Sequence, residues 1–536
     1  MIVPGSANSL LLAQGAATGY NLTKSLRFRS SASAYLNRTP ASSGNRTTWT
    51  MSIWFKRGTL STEQHIFEGA SSPASANQFY FNTDNTLVYN DNATNYFTTS
   101  QVFRDPSAWY HMMVVWNTGN STASDRIRLY INGSRVTSFS SSTNPSLNAT
   151  STFNDNVRNV IGQLNNLGGY YFDGYMTEVN FIDGQQLTPS SFGENNATTG
   201  VWQPKKYTGT YGTNGFYLPF TDTTSTTTLG YDSSGNGNNW TTNNFSLTAG
   251  STYDSMTDVP TLTSATTANY CVLNPITAYS ASIGTVQYAN LGWSQTGTAA
   301  YGKVVGTMAM SGSGKYYWEA TMVSANLSEV GILSASDQSV YYPGYSPNGY
   351  VYYTNGQKGN NNSYVSYGAS FTAGDVLGIA FDAGAGTLTF YKNGTSQGTA
   401  YTGLTGTFLP AFGNDSSNSA NITNLTVNFG QQPFAYTPPT GYVALNTYNL
   451  PVGTITTSGT FTGNGSNDGP FIYLNGVPTS MTINGNSVTF ATNADKLANG
   501  FKVRTSSSSY NTVGSNTYSI STTGANFKYA NAQGNP

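Results

Sequence analysis

The sequence predicts an all-β, multidomain chain built from antiparallel β-sandwiches, and three observations carry that expectation. Apolar residues alternate in short runs broken by Gly, Asn, Ser and Pro clusters, and helical periodicity is almost absent. Asn-Gly recurs between alternating runs, in RLYINGSRV (128–136), TFYKNGTSQG (389–398) and FIYLNGVPTS (471–480). That dipeptide supplies the two positive-φ positions of a type I′ hairpin turn. At 536 residues the chain is too long for one core and suggests roughly three domains.

Taken in order, residues 1–24 are too short for a domain and too poor in pattern for a helix. Their apolar patch at 10–13 lacks the basic flank and the apolar core of about 7–15 residues that an export signal needs, so an attachment segment is expected there. TTWTMSIWFKRG (47–58) places Trp49, Met51, Ile53 and Phe55 on one face. AWYHMMVVWNTG (108–119) is apolar on both, with Trp109, Met113 and Val115 against Met112, Val114 and Trp116, as in a central strand covered on both sides. The hairpin of 126–137 turns Leu129 and Ile131 inward, and GYYFDGYMTEVNFIDGQQLTPSSF (169–192) does the same with Val179 and Phe181. Residues 223–269 are poor in apolar side chains, contain YDSSGNGNNW (231–240), and read as a linker. In the second Asn-Gly stretch Leu388 and Phe390 share a face, and from about 440 the alternation resumes as a third, smaller β region. Pro478, soon after Asn475-Gly476, fits only an edge strand or a position beyond the strand.

Two stretches resemble known families. The order WTMSIWFKR, WYHMMVVW, RLYING, FDGYMTEVNFID resembles the laminin-G-like, concanavalin-A-like jelly rolls over residues 25–222. The strands GKYYWEATM (314–322), EVGILSA (329–335), GDVLGIAFDAGAGTLTFYKNG (374–394), FLPAFGN (408–414) and VNFGQQPF (427–434) look like a SPRY domain over 270–436. The first resemblance implies two curved antiparallel sheets that bind glycan or protein. The second implies a non-catalytic sandwich that recognises partners through loops at one end. With 440–536 as a C-terminal β domain, the combination resembles tail-fibre and other virion surface proteins of marine bacteriophages. It implies a structural, host-recognising virion protein, made in the host cytoplasm and displayed on the particle, with other virion proteins and a host-surface glycan or protein as partners. A homotrimer is expected by the same analogy. A polysaccharide-cleaving tail spike and a cellular adhesin are the alternatives.

Composition narrows the chemistry. Charged residues are 8 %, against about 25 % in an average soluble domain, and the net charge is −1 with no basic stripe, which excludes nucleic-acid binding. No apolar run approaches the ~20 residues of a membrane helix, so no membrane insertion is expected. The single cysteine, Cys271, is expected to be a buried free thiol. A glycosidase needs two carboxylates facing one bond, and in the densest acidic segment the odd spacing puts Glu178 opposite Asp173 and Asp183 on a regular strand. His65 and His111 are far apart, and His111, on the Trp109 face, reads as a satisfied core or edge histidine. No nucleophile elbow or phosphate loop occurs, so no catalysis and no cofactor are expected. Asp232, Asn236 and Asn238 form a weak calcium candidate, with an Asx-rich turn as the commoner reading. The most suggestive stretch is 339–368, which mixes Tyr, Ser, Gly and Asn as antibody loops do. Tyr341, Tyr342, Tyr345 and Asn348 are its expected ligand contacts.

Overall fold

The computed structural model describes residues 19–72, 75–91, 94–164, 168–276, 284–295, 301–337, 340–416 and 422–536. The expected attachment segment therefore lies outside the described residues up to 18, as does Ser339, the first position of the tyrosine-rich stretch. Among the described residues helix is confined to single 3-10 turns, and none is long and apolar enough to cross a membrane.

The first sandwich pairs two eight-stranded antiparallel sheets. One runs Ser134–Arg135, Ile127–Ile131, Tyr110–Asn117, Thr48–Arg57, Gly174–Asp183, Ser25–Phe28 and Ser255–Met256, with Phe216–Leu218 also on Gly174–Asp183. The other contains Thr86–Asp91, Gln64–Ser72, Arg158–Ile161 and, at its edge, Tyr35–Arg38 beside Thr241–Asn243. Trp49, Met51, Ile53 and Phe55 all enter the core between them. Tyr110–Asn117 is covered on both faces, because Met112, Val114 and Trp116 join that core while Met113 and Val115 pack outside with Ile182, Phe192 and Tyr217.

The second sandwich, from Thr285 to Ala444, stacks a sheet containing Lys315–Ala325, Val376–Asp382 and Thr387–Lys392 on one ordered Gly302–Val305, Phe408–Asn414, Ser328–Ser334, Gly349–Tyr353, Gln357–Asn360 and Ser363–Ser366. The C-terminal region adds sheets of four and three strands with a small core around Ile472, Met481 and Phe501. One apolar cluster runs without a break from Trp49 through Tyr270, Cys271 and Leu273 to Trp318 and Phe412. Cys271 is buried in it, and burial pushes its thiol up to about 12.

Three sequence expectations are corrected. Residues 223–269 are not a linker. Thr241–Asn243 and Ser255–Met256 are strands of the first sandwich, Asp254 is bonded by Arg27 Nε (3.1 Å) and Arg29 Nε (2.7 Å), and Lys56 Nζ donates to Asp258, Asn269 and the Tyr270 carbonyl, each at 2.8 Å. Low apolar content misled because these bonds to buried charges do the anchoring. Asn132-Gly133 and Asn393-Gly394 do make two-residue turns with positive φ at both positions, but Asn475-Gly476 does not. The strands on either side of it, Phe471–Tyr473 and Gly476–Ile483, belong to different sheets; the hairpin there closes at Asn484-Gly485. Gly174–Asp183 is not regular either. Glu178 sits at φ +52° in a bulge between Thr177 and Asn180, so parity along the sequence does not assign its face.

Candidate functional site

The tyrosine-rich turn lies over the outer face of the second sandwich. Along Ser328–Ser334, Val330 and Ile332 point into the main core, which leaves Glu329, Gly331 and Leu333 on the outer face. Residues 340–348 cross that face, and glycine is required beneath them. A Cβ on Gly413 would lie 2.3 Å from the Pro343 ring, and one on Gly344 would lie 2.4 Å from the Glu329 carboxylate. The turn is tied at many points. Gly344 N–H donates to Glu329 (2.8 Å), Asn361 N–H to the Ser346 carbonyl (3.0 Å), Ser334 N–H to the Asn348 carbonyl (3.0 Å), and Asn360 Nδ2 to the carbonyls of Pro347 (2.9 Å) and Gly349 (2.8 Å). A backbone held this way presents its side chains without first having to be ordered.

The four expected contact residues separate. Tyr341 and Tyr345 are 51 % and 44 % exposed, their rings edge-to-face at 5.7 Å, and Asn348 is exposed. Tyr342 is 6 % exposed: its ring packs against Tyr301 (5.2 Å) and Tyr345 (5.6 Å), and its hydroxyl donates to Asn362 (2.8 Å). Tyr342 is thus a support for the exposed pair, because a ring between the turn and the sheet faces inward. Tyr301 completes the group and was missed in the sequence, where nothing near it marks it out. Glu329 was also missed. Its buried carboxyl accepts from Gly344 N–H and the Tyr364 hydroxyl (2.6 Å), two neutral donors, and burial pushes it up to about 8. A carboxylate heading the otherwise apolar EVGILSA was the available signal.

The other candidates are internally satisfied. Asp232 accepts from Tyr217 N–H, Ser234 N–H, the Ser234 hydroxyl and Asn238 N–H, at 2.8–2.9 Å. Asn236 and Asn238 turn their amides onto the carbonyls of Gly212, Thr213 and Gly215. That is the Asx-rich turn, with the Asp232 oxygens already engaged. Asp173 receives Ser30, Thr59 and Ala289, Asp183 receives Asn45 and Asn214, and Glu178 receives the hydroxyls of Tyr20 and Tyr217. His111 lies on the outer face of its strand, between Ser52 (2.8 Å from Nε2) and Trp202, whose Nε1–H donates to Nδ1 at 3.0 Å. That bond requires the neutral ring, and burial pushes it down to about 3. His65, held by Glu63 at 3.0 Å, is shifted the other way: burial lowers it, and the bonds to Glu63 and Glu68 outweigh that.

Comparisons with known proteins agree with this architecture. Residues 30–192 match the model of the concanavalin A-like lectin/glucanases superfamily, and residues 315–432 match that of the SPRY domain. The ATP-dependent RNA helicase Ddx1 of Drosophila melanogaster is 30 % identical over 141 residues, 26 % of this chain and 18 % of the helicase. The Xenopus laevis helicase DDX1 is 32 % identical over 142 residues, 25 % of this chain and 17 % of the helicase. The chain therefore spans less than a fifth of the length of these curated relatives. Among solved structures, the SPRY domain of human HERC1 is 21 % identical, covering 27 % of this chain and 91 % of that one, at a TM-score of 0.23. A putative carbohydrate binding protein from Bacteroides ovatus is 16 % identical, covering 42 % of this chain and 59 % of that one, at a TM-score of 0.30. The chain contains a concanavalin A-like domain and a SPRY domain, and that pair fits a binding or adhesin role.

Proposed function

We propose that this protein is a non-catalytic adhesive subunit on the surface of a bacteriophage particle, a tail fibre or similar appendage, which binds a host-surface glycan or protein and needs no cofactor. The observation that supports recognition is the exposed pair Tyr341 and Tyr345 on a turn whose backbone is tied to the sheet below. Stiff amphipathic rings beside the Asn348 amide give contact area and hydrogen bonding at low entropic cost. Engagement of Asp173, Glu178 and Asp183 by internal donors supports binding without turnover. The near-uncharged surface, rich in hydroxyls and amides, joined to the resemblance to tail-fibre proteins, supports the virion setting. We extend the proposal to a homotrimer attached through the N-terminal segment or the C-terminal region.

An antibody to the chain is expected to decorate an appendage of purified phage particles. Label confined to the surface of uninfected cells would overturn the virion reading in favour of a cellular adhesin. Incubation with host-envelope polysaccharide is expected to give binding without new reducing ends, whereas their sustained release would make the protein a tail spike. Light scattering is expected to give three times the chain mass.

A further inference from the structure

A cleft of about 530 Å³ lies between the outer face of the SPRY sandwich and the C-terminal β region, and no residue of the tyrosine turn lines it. Ser336 and Thr407 stand on the first wall, Thr456 and Thr460 on the second, and Phe461 and Tyr473 are among the aromatic residues of the lining. None of its lining residues is Asp, Glu, Lys, Arg or His. The walls are fixed to each other. Asn499 Nδ2 donates to the Thr307 carbonyl at 2.9 Å, and Tyr473 packs on the cluster of Val305, Ala309 and Leu333 while its hydroxyl bonds Asn475 at 3.2 Å.

We infer that this cleft binds an uncharged oligosaccharide. Its volume lies within the roughly 300–1,000 Å³ of small-molecule sites. A charged ligand would lose water there without meeting an opposite charge, and a purely apolar one would strand the lining hydroxyls. A pyranose meets both demands, because its hydroxyls pair with Ser, Thr and Asn while its C–H face lies on a ring. The inference concerns a site separate from Tyr341 and Tyr345 and does not depend on the virion setting.

The test is calorimetric titration of the full chain with maltohexaose, cellohexaose, mannohexaose and chitohexaose, and with hexagalacturonate as the anionic counterpart. At least one neutral hexasaccharide is expected to bind, and hexagalacturonate to bind more weakly than it does. Thr456→Lys, at an exposed position, is expected to leave the melting temperature within a few degrees and to weaken binding about tenfold or more. Phe461→Ala is expected to weaken it similarly, and if that variant fails to fold, Thr456→Lys decides alone. A Tyr341→Ala/Tyr345→Ala variant is expected to bind the sugar as the unsubstituted chain does. The inference is overturned if no neutral hexasaccharide binds at millimolar concentration, if hexagalacturonate binds better, if Thr456→Lys binds unchanged, or if only the tyrosine variant loses binding.

Discussion

Residues 223–275 and residues 339–368 are both rich in Asn and Ser, the first adding Thr and the second Tyr and Gly, yet the buried carboxylates they carry or cover are held by different partners. At the junction of the first sandwich with the SPRY sandwich, Asp258 is fully buried but meets Lys56 at 2.8 Å and accepts from Trp109 Nε1 at 2.9 Å. Beneath the tyrosine turn, Glu329 is equally buried and, among the described residues, accepts from the neutral donors Gly344 N–H and the Tyr364 hydroxyl. Burial raises both carboxyls, but at Asp258 the Lys56 cation and the Trp109 N–H work against the rise, whereas Glu329, held by neutral donors, is pushed up to about 8. The difference teaches what a buried carboxylate does in a chain with 8 % charged residues: one paired with a cation joins segments distant in sequence, and one held by neutral donors is expected to make the turn above it sensitive to pH.

The strongest way to break this comparison is to remove one member of the pair. Asp258→Ala leaves Lys56 buried without a counter-charge and is expected to destabilise by about 3–5 kcal/mol in urea denaturation. A loss under about 1 kcal/mol would mean that the junction is held by packing alone.

The next largest effect is on pH. Glu329 is raised from 4.5 to about 8 in the folded state, so the folded protein holds more protons than the unfolded chain between those values. Its stability contribution is therefore complete below pH 4.5 and is lost as pH rises toward about 8, at a slope of up to about 1.4 kcal/mol per unit. Glu329→Gln reproduces the protonated shape, with one oxygen to accept from Gly344 and an amide to donate to the Tyr364 oxygen. It is expected to raise the urea midpoint at pH 8 relative to the unsubstituted chain and to leave it nearly equal at pH 5. Equal midpoints at both pH values would show that Glu329 is charged throughout.

Neighbouring tyrosines sharpen the comparison inside the turn. Tyr342→Ala is expected to cost about 2 kcal/mol by calorimetry, because it empties the space under the exposed pair. Tyr341→Ala, Tyr345→Ala and Asn348→Ala are expected to cost within about 0.5 kcal/mol each while cell binding falls about tenfold. The smallest expected effect is at His111. Pushed down to about 3 and locked by Trp202, its ring is expected to show no titration by NMR from pH 5 to 9, a window over which the tyrosine turn is expected to respond.

Much of the fold was legible in the sequence because strand alternation is local. The inward row Trp49, Met51, Ile53 and Phe55, the double-sided strand at 110–117 and the turns at Asn132-Gly133 and Asn393-Gly394 all follow from side chains alternating every second residue and from backbone conformations that Asn and Gly adopt readily. The resemblance of the flanking strands to a SPRY domain placed the tyrosine-rich turn on that sandwich. What only the tertiary structure decided depends on groups far apart in the chain. Tyr341 and Tyr342 are adjacent and chemically identical, and Tyr301 packs on both, yet one is exposed while the other is buried with its hydroxyl on Asn362 from elsewhere in the chain. Glu178 stands opposite Val179 and Phe181, on the Tyr217 side, but the strand is broken there by a bulge against Thr48–Arg57 that spacing alone does not reveal. Segment 223–269 is structure and not linker because Arg27, Arg29 and Lys56, about 200 residues earlier, supply the positive charges its aspartates need. Alternation and turn chemistry act over a few residues and can be read in one strand, whereas burial and charge pairing are properties of two surfaces, the second of which only the fold supplies.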